Sequence, residues 1–561
     1  SVDGFETIEF ANKDHLVIDG LAGDDVVNLN NSGTAAVGLL DITVDGSDPT
    51  ASDLVIINGT TANNAITVDL LTNDGARIAG AQPVPVIVDT AEHLTINGRG
   101  GTDALTVVTP AGVHVVYVAD DGPMADTGEI EVRQSLALGG QTLLPMNFLG
   151  LGTGGSLNLA DISGTRVDAA TISSRDAANA SDVFAVSGVT GTVVLDEISG
   201  GATNAQMVVI NTPGVLNLAL HALVGDDVFN VAGNHPFANV LVNGGDPSGS
   251  DVLNFLGAGD DIVVDLAART VTEDAFGPVE FIGIERTNIA AAGAALTVNA
   301  TAEDDEITYR PTGPQAGQFQ NAGDNTLFTF TAVAGAFTIN GLTEDADHVI
   351  VEGTNSHDVI YVDSPARTVT VENISGVDLK PVVLGATVEA VTVKARLGND
   401  TILVVPAAGL APAPLNNLRV NVDGGGPSAS DALVIAADVS GTPLDNATHF
   451  VVINHSRRED EGVVRIFRDT PGIGNDPTQL PDISFVDVEI VSPLLAGVDP
   501  VTGEPNLLIL GPDLYEQNEF RTTAAYIGSG SALNVTNLAI FPNATEHPFV
   551  PADNDFFRFV A

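Results

Sequence analysis

The chain makes the same corner repeatedly. The stretch LVIDGLAGDDVVNL (16–29) joins an alternating apolar run, a Gly-rich turn ending in two aspartates, and a second apolar run. GRGGTDAL (98–105), LVGDDVF (223–229), TAEDDEI (301–307) and RLGNDTI (396–402) place an acidic residue at the same step before an apolar run. This aligns Asp25, Asp103, Asp227, Asp305 and Asp400. A second turn follows each one. ITVDGSDPTASDLVIING (42–59), VLVNGGDPSGSDVLNFLG (240–257) and VNVDGGGPSASDALVIAA (420–437) are copies of one sequence. SRDAANASDVFAVSG (174–188) and FTINGLTEDADHVIVEG (337–353) are weaker copies, and the aligned aspartates are Asp53, Asp251, Asp431, Asp182 and Asp347. Three copies add a further turn soon afterwards, at Asn64, Asp261 and Asp358.

Recurring self-similarity of this kind marks an array whose units bury their faces against one another. Between the turns run short segments rich in Val, Ile, Leu, Thr and Phe, and no long stretch shows a 3.6-residue period. The expectation is an all-β, elongated repeat array, most simply a parallel β-solenoid or β-helix-like fold, with tandem β-sandwich domains as the alternative. No Pro/Ser-rich linker separates the repeats, and the turns recur within them as well as between them, which favours the continuous solenoid. The modules are read as 1–84 (N-terminally incomplete), 85–205 with an insertion near 138–164, 206–285, 286–380 and 381–495.

Charge narrows the partners. The chain carries 73 acidic against 20 basic residues, a formal charge of −53, and its only lysines are Lys13, Lys380 and Lys394. Nucleic acid and anionic membranes are repelled by such a surface. No run approaches the roughly 18 apolar residues of a membrane helix, so direct membrane insertion is not expected. With no cysteine, disulfides, thiolate metal sites and Cys nucleophiles are all excluded. A cation-rich exterior suits this composition, and localisation is expected to be secreted, at a cell surface or in a matrix.

The turn pattern G-x-x-G-x-D-x-apolar resembles the calcium-binding RTX nonapeptide of bacterial secreted proteins. Gly20, Gly23, Asp25 and Val27 match it, as do Gly98, Gly101, Asp103 and Leu105; Gly257, Gly259 and Asp261 match in LGAGDDIV (256–263). The resemblance implies calcium, with Asp24, Asp25, Asp103, Asp226, Asp227, Asp260, Asp261, Asp304, Asp305 and Asp400 as candidate ligands. RTX sites, however, lie between consecutive nine-residue turns, whereas these turns are tens of residues apart. The residues leave two readings open: carboxylates that hydrogen-bond turn amides, or oxygen ligands where coils bring two turns together. Gly20, Gly23, Asp53, Asp182, Asp251, Asp347 and Asp431 are read as structural turn residues.

Catalytic signatures are missing. There is no HExxH, GxSxG or GxxxxGK[ST], and the ten histidines show no metal-ligand spacing. The expectation is no enzyme and no catalytic residue. Near the end, Asp513, Tyr515, Glu516 and Asn518, then Asp553, Asp555, Phe557, Arg558 and Phe559, resemble the opening half of the bacterial pre-peptidase C-terminal domain. That resemblance implies a partial β-sandwich over 511–561. The whole resembles the very large secreted repeat proteins of planctomycetes and marine bacteria. A structural role in a surface layer, matrix or head-to-tail filament is expected, with copies of itself as partner. An adhesin or carbohydrate-binding stalk recognising surface glycans is the alternative, and an accessory region of a secreted hydrolase the third reading.

Overall fold

The computed structural model describes residues 12–494 apart from 48–51, 120–125, 175–180, 200–201, 207, 246–249, 343–345, 407–417, 427–430, 437–447, 457, 459 and 470–477. Beyond 494 it describes the strands Leu507–Ile509, Ala525–Ser529 and Phe557–Val560. The described chain is nearly all β, with a single 3-10 turn at Leu136–Leu138. It divides into two compact units: Ser1–Val264 with Ala268–Ala292 and Asn325–Phe328, and Asp265–Ala267 with Gly293–Asp324 and Thr329–Ala561.

Each unit is built from coils that alternate between two sheets, and strands of successive coils pair in parallel and in register. In the first unit His15–Asp19, Asp41–Asp45 and Val86–Asp89 stack in this way, so Ile18, Val44 and Val88 share one position. In its other sheet Val26–Leu29, Leu54–Asn58, His93–Asn97 and Met146–Leu149 do the same. The second unit repeats the plan with Glu306–Gly313, Asp347–Glu352, Val388–Lys394, Arg419–Asp423 and Ile483–Val486. This is a β-solenoid arrangement. Sandwiches of the immunoglobulin type are antiparallel and lack such in-register parallel stacking.

The register follows from side-chain alternation. Odd and even residues of a strand face opposite ways, so Ile66, Val68 and Leu70 are buried while Thr67 and Asp69 face outward. Because coils are in register, like side chains meet. Phe184 lies opposite Phe229, and their rings stack at 5.1 Å. Each such buried ring contributes about 2–3 kcal/mol by burial. In the second unit Tyr309, Phe319, Phe330 and Phe337 form one aromatic cluster, and the Tyr309 hydroxyl donates to the Lys380 carbonyl at 2.6 Å.

The parallel stacks are interrupted by antiparallel excursions. Ala65–Leu70, Ala76–Ala79 and Val86–Asp89 form a meander in one sheet; His114–Ala119, Gly128–Gln134 and Met146–Leu149 form the next, in the other sheet. The last strand of a meander pairs with the coil behind it, and the first with the coil ahead. An insertion is expected near 138–164, and the strands there pair as follows. Met146–Leu149, the last strand of the meander, also pairs in parallel with His93–Asn97, and Ser156–Asp161 pairs in parallel with Ala104–Thr109, so both take part in the parallel stack. The extra strands lie just upstream, at 114–134.

Candidate functional site

Stacking of the coils brings the two kinds of turn into one column. The backbone N–H of Asp25 donates to Asp53 Oδ1 at 2.8 Å, and that of Asp53 to Glu92 Oε2 at 2.8 Å. A second column runs Asp182 to Asp227 (2.6 Å), Asp227 to Asp251 (2.8 Å) and Asp251 to Glu285 (2.8 Å). In the second unit Asp305 donates to Asp347 (3.1 Å) and Asp347 to Glu389 (2.8 Å). There too Asp358 donates to Asp400 (2.6 Å), Asp400 to Asp431 (2.7 Å) and Asp431 to Glu489 (2.8 Å). Asn64 donates to Asp103 at 2.6 Å in the same manner. Every one of these bonds runs from a residue's amide to a carboxylate on a later coil, and four columns end on a glutamate.

The paired acids now have a geometric explanation. Asp24, on the exposed side, accepts the amide of Ser52 at 3.0 Å, while the amide of Asp25 goes forward to Asp53. Asp226 accepts from Ser250 at 3.0 Å, Asp304 from Ala346 at 2.9 Å, and Asn63 from Thr102 at 3.0 Å. The carbonyls of Asp25, Asp227, Asp305 and Asp400 then accept the amides of Leu54, Val252, His348 and Ala432. Three bonds therefore tie the corners of Asp25, Asp227 and Asp305 to the next. They satisfy turn amides that burial would otherwise leave costly.

Glycine is required where the carboxylate lies against the chain. A Cβ on Gly46 or Gly98 would strike the carboxylate of Asp53 or Asp103. The second carboxylate oxygen meets one of two fates. In the corners of Asp305, Asp347 and Asp358, Oδ2 accepts the amide of Thr301, Leu342 or Thr354. In the corners of Asp53 and Asp103 the equivalent amides, of Ser47 and Arg99, turn instead to Asp45 and Asn97. Oδ2 of Asp53 and Asp103 is consequently buried without a hydrogen-bond partner, and Oδ2 of Asp227 and Asp400 is likewise buried without one. In Asp227 and Asp400 burial disfavours the ionised form. Burial pushes Asp227 up to about 7, reinforced by the carboxylates of Asp182, Asp251 and Asp226 and opposed by the Asp182 amide. Asp400 is pushed up to about 6 by burial, again against an amide, that of Asp358. Asp103, Asp358 and Asp431 are raised for the same first reason.

The corner at 256–263 is built differently. The amides of Ala258, Gly259 and Asp260 converge on Glu273 Oε1 at 2.7, 2.8 and 3.0 Å, a three-amide nest filled by the chain's own carboxylate. Asp260 and Asp261 remain on the exposed side.

No protein-family model matches the chain, and no curated protein matches it in sequence. Calcium asks for six to eight oxygen ligands, and among the described residues no group of three or more His, Cys, Asp or Glu side chains is placed to hold a metal ion. The corner carboxylates are instead directed at backbone amides. Of the residues carrying the pre-peptidase resemblance, Asp513, Tyr515, Glu516, Asn518, Asp553 and Asp555 lie outside the described residues; Phe557–Val560 is a strand paired in parallel with Ala525–Ser529.

Three features of the site were not assigned to a ladder by the sequence. The glutamates Glu92, Glu285, Glu389 and Glu489 sit in plain strand-like text, and only the coil behind them reveals their role. Asn64 and Asp358 prove to be ladder members. A separate amide ladder runs along the outer sheet face from Asn230 through Asn254 to Asn288, with bonds of 2.9 and 2.8 Å. Such stacked amides are a direct product of in-register pairing.

Proposed function

We propose that this protein is an extracellular, non-catalytic structural repeat protein, a building unit of a cell-surface layer, matrix or head-to-tail filament. The observation that carries this reading is the ladder. One small set of carboxylate-to-amide bonds is reused from coil to coil, so the polar groups serve to join coils to each other. A coil of this kind is completed by its neighbour, and sheet edges pair readily with further strands. In the described coil at His15–Leu29, Ile18 and Val27 are only half-buried, where their register partners Val44 and Val55 in the next coil are buried. That is apolar surface of the sort a further coil covers. The net charge of −53 favours a cation-rich exterior, where salt screens self-repulsion. No helix among the described residues is long and apolar enough to cross a membrane.

Negative-stain microscopy and light scattering over a concentration series, with salt and calcium varied, test this reading. Ordered filaments or sheets that grow with concentration are expected. A 57.4 kDa monomer under every condition would contradict it.

A further inference from the structure

Basic groups are rare in this chain, yet on one outer sheet face of the second unit Arg419 stands beside a row of polar side chains. Register places Thr392, Asn421 and Ser484 side by side on three adjacent strands, and His348, Ala390 and Arg419 in the neighbouring row. The first row is bonded to itself. Ser484 Oγ donates to Asn421 Oδ1 at 2.6 Å, and Asn421 Nδ2 donates to Thr392 Oγ1 at 3.2 Å. His348 Nε2 lies 2.7 Å from the same Thr392 oxygen, and its Nδ1 lies 3.4 Å from Glu306 Oε2. These bonds fix the side chains without exhausting them. Asn421 keeps a second amide hydrogen and a second lone pair, and Ser484 keeps its lone pairs.

Above this row the surface is concave. Because Ala390 carries only a methyl group, a notch of about 280 Å³ opens among His348, Glu389, Arg419 and Asn421. A second notch, of about 420 Å³, is bordered by Thr392, Asn421, Asp423, Ser456, Glu461 and Ser484. Asn421 lines both, so they meet at one amide.

We propose that this face binds a neutral oligosaccharide laid across the strands, with Thr392, Asn421, Ser484 and Arg419 taking its hydroxyls. Sugar hydroxyls donate and accept at once, which suits a fixed row of alternating donors and acceptors on a rigid sheet. Strands about 4.8 Å apart repeat the contact at close to the length of one sugar ring. The planar groups of Arg419 and Glu461 offer two-point contacts to neighbouring hydroxyls. Neutrality follows from the overall charge, which repels a polyanionic glycan. This inference is independent of the scaffold reading: filaments without glycan binding overturn it alone, and glycan binding by a strict monomer overturns the scaffold alone.

The test is an array of short neutral hexose and N-acetylhexosamine oligosaccharides probed with the full chain in the presence of a chelator, followed by calorimetry on the hits. At least one neutral series should bind. Asn421→Ala and Arg419→Ala should each weaken it about tenfold, the effect of one or two lost hydrogen bonds. Thr392→Val, which preserves shape, should weaken it less, and Asn254→Ala in the other unit should leave it unchanged. Far-UV circular dichroism confirms that each variant is folded. Failure of every neutral oligosaccharide to bind, binding confined to acidic glycans, or undiminished binding by Asn421→Ala and Arg419→Ala would overturn the proposal.

Discussion

Replacing Asp227 by alanine is expected to destabilise the first unit by about 2–4 kcal/mol, whereas asparagine at the same position should cost little and stabilise at about pH 8. Asp227 is fully buried, and its Oδ1 receives the amide of Asp182 at 2.6 Å. Alanine strands that amide in a dry corner and leaves a void beside it. Asparagine keeps an acceptor oxygen in place and removes a charge that the corner disfavours. The chain contains its own precedent, since Asn64 occupies a ladder position, with its amide bonded to Asp103 and its Oδ1 accepting from Thr60 at 3.0 Å. Denaturant unfolding followed by circular dichroism measures both variants. Equal losses for alanine and asparagine would mean that the corner needs the charge itself, contrary to the hydrogen-bond account.

Acidification from about pH 8 to about pH 5 is expected to raise stability, the reverse of ordinary acid unfolding. Asp227 titrates at about 7 in the folded chain against an ordinary 3.8. Between those values the folded form holds a proton that the unfolded form has released. The contribution is therefore complete below the unfolded value, declines as pH rises, and is gone above about 7. Within that window each pH unit changes stability by about 1.4 kcal/mol for one such group. Asp400 acts in the same direction up to about 6. Acid also lowers the self-repulsion of a chain carrying −53 charges. Calorimetric melting at fixed ionic strength reads this directly, and Asp227→Asn should flatten the upper part of the profile. A melting temperature that falls steadily from pH 8 to pH 5 would contradict the assignment of protons to the ladder.

The corner itself was legible because its constraints are local. Gly23 and Gly101 have φ of 120° and 113°, values that side chains resist, and the aspartates follow at a fixed step. Leu21 and Arg99, which replace the second glycine of the RTX pattern, still adopt the left-handed conformation, with φ of 70° and 67°. The partner of each aspartate was not legible. Ladder neighbours lie 24–31 residues apart across bare coils and 34–58 where an antiparallel excursion intervenes. Unequal spacing of this kind hides a contact that is regular in space. The glutamates were invisible because their role belongs to the coil behind them. The Gly-rich LGLGTGG at 149–155 stands in place of an aspartate corner: there the Asp103 amide turns to the Leu151 carbonyl at 2.9 Å.

The central claim is that aspartate amides are locked onto carboxylates of the next coil. Hydrogen exchange on protein labelled with nitrogen-15 only at aspartate tests it most directly. The amides of Asp182, Asp227, Asp358 and Asp400 should exchange as slowly as strand amides of the core, and Asp227→Ala should release Asp182 selectively. Fast exchange at these four amides, at the rate of open loops, would contradict the ladder.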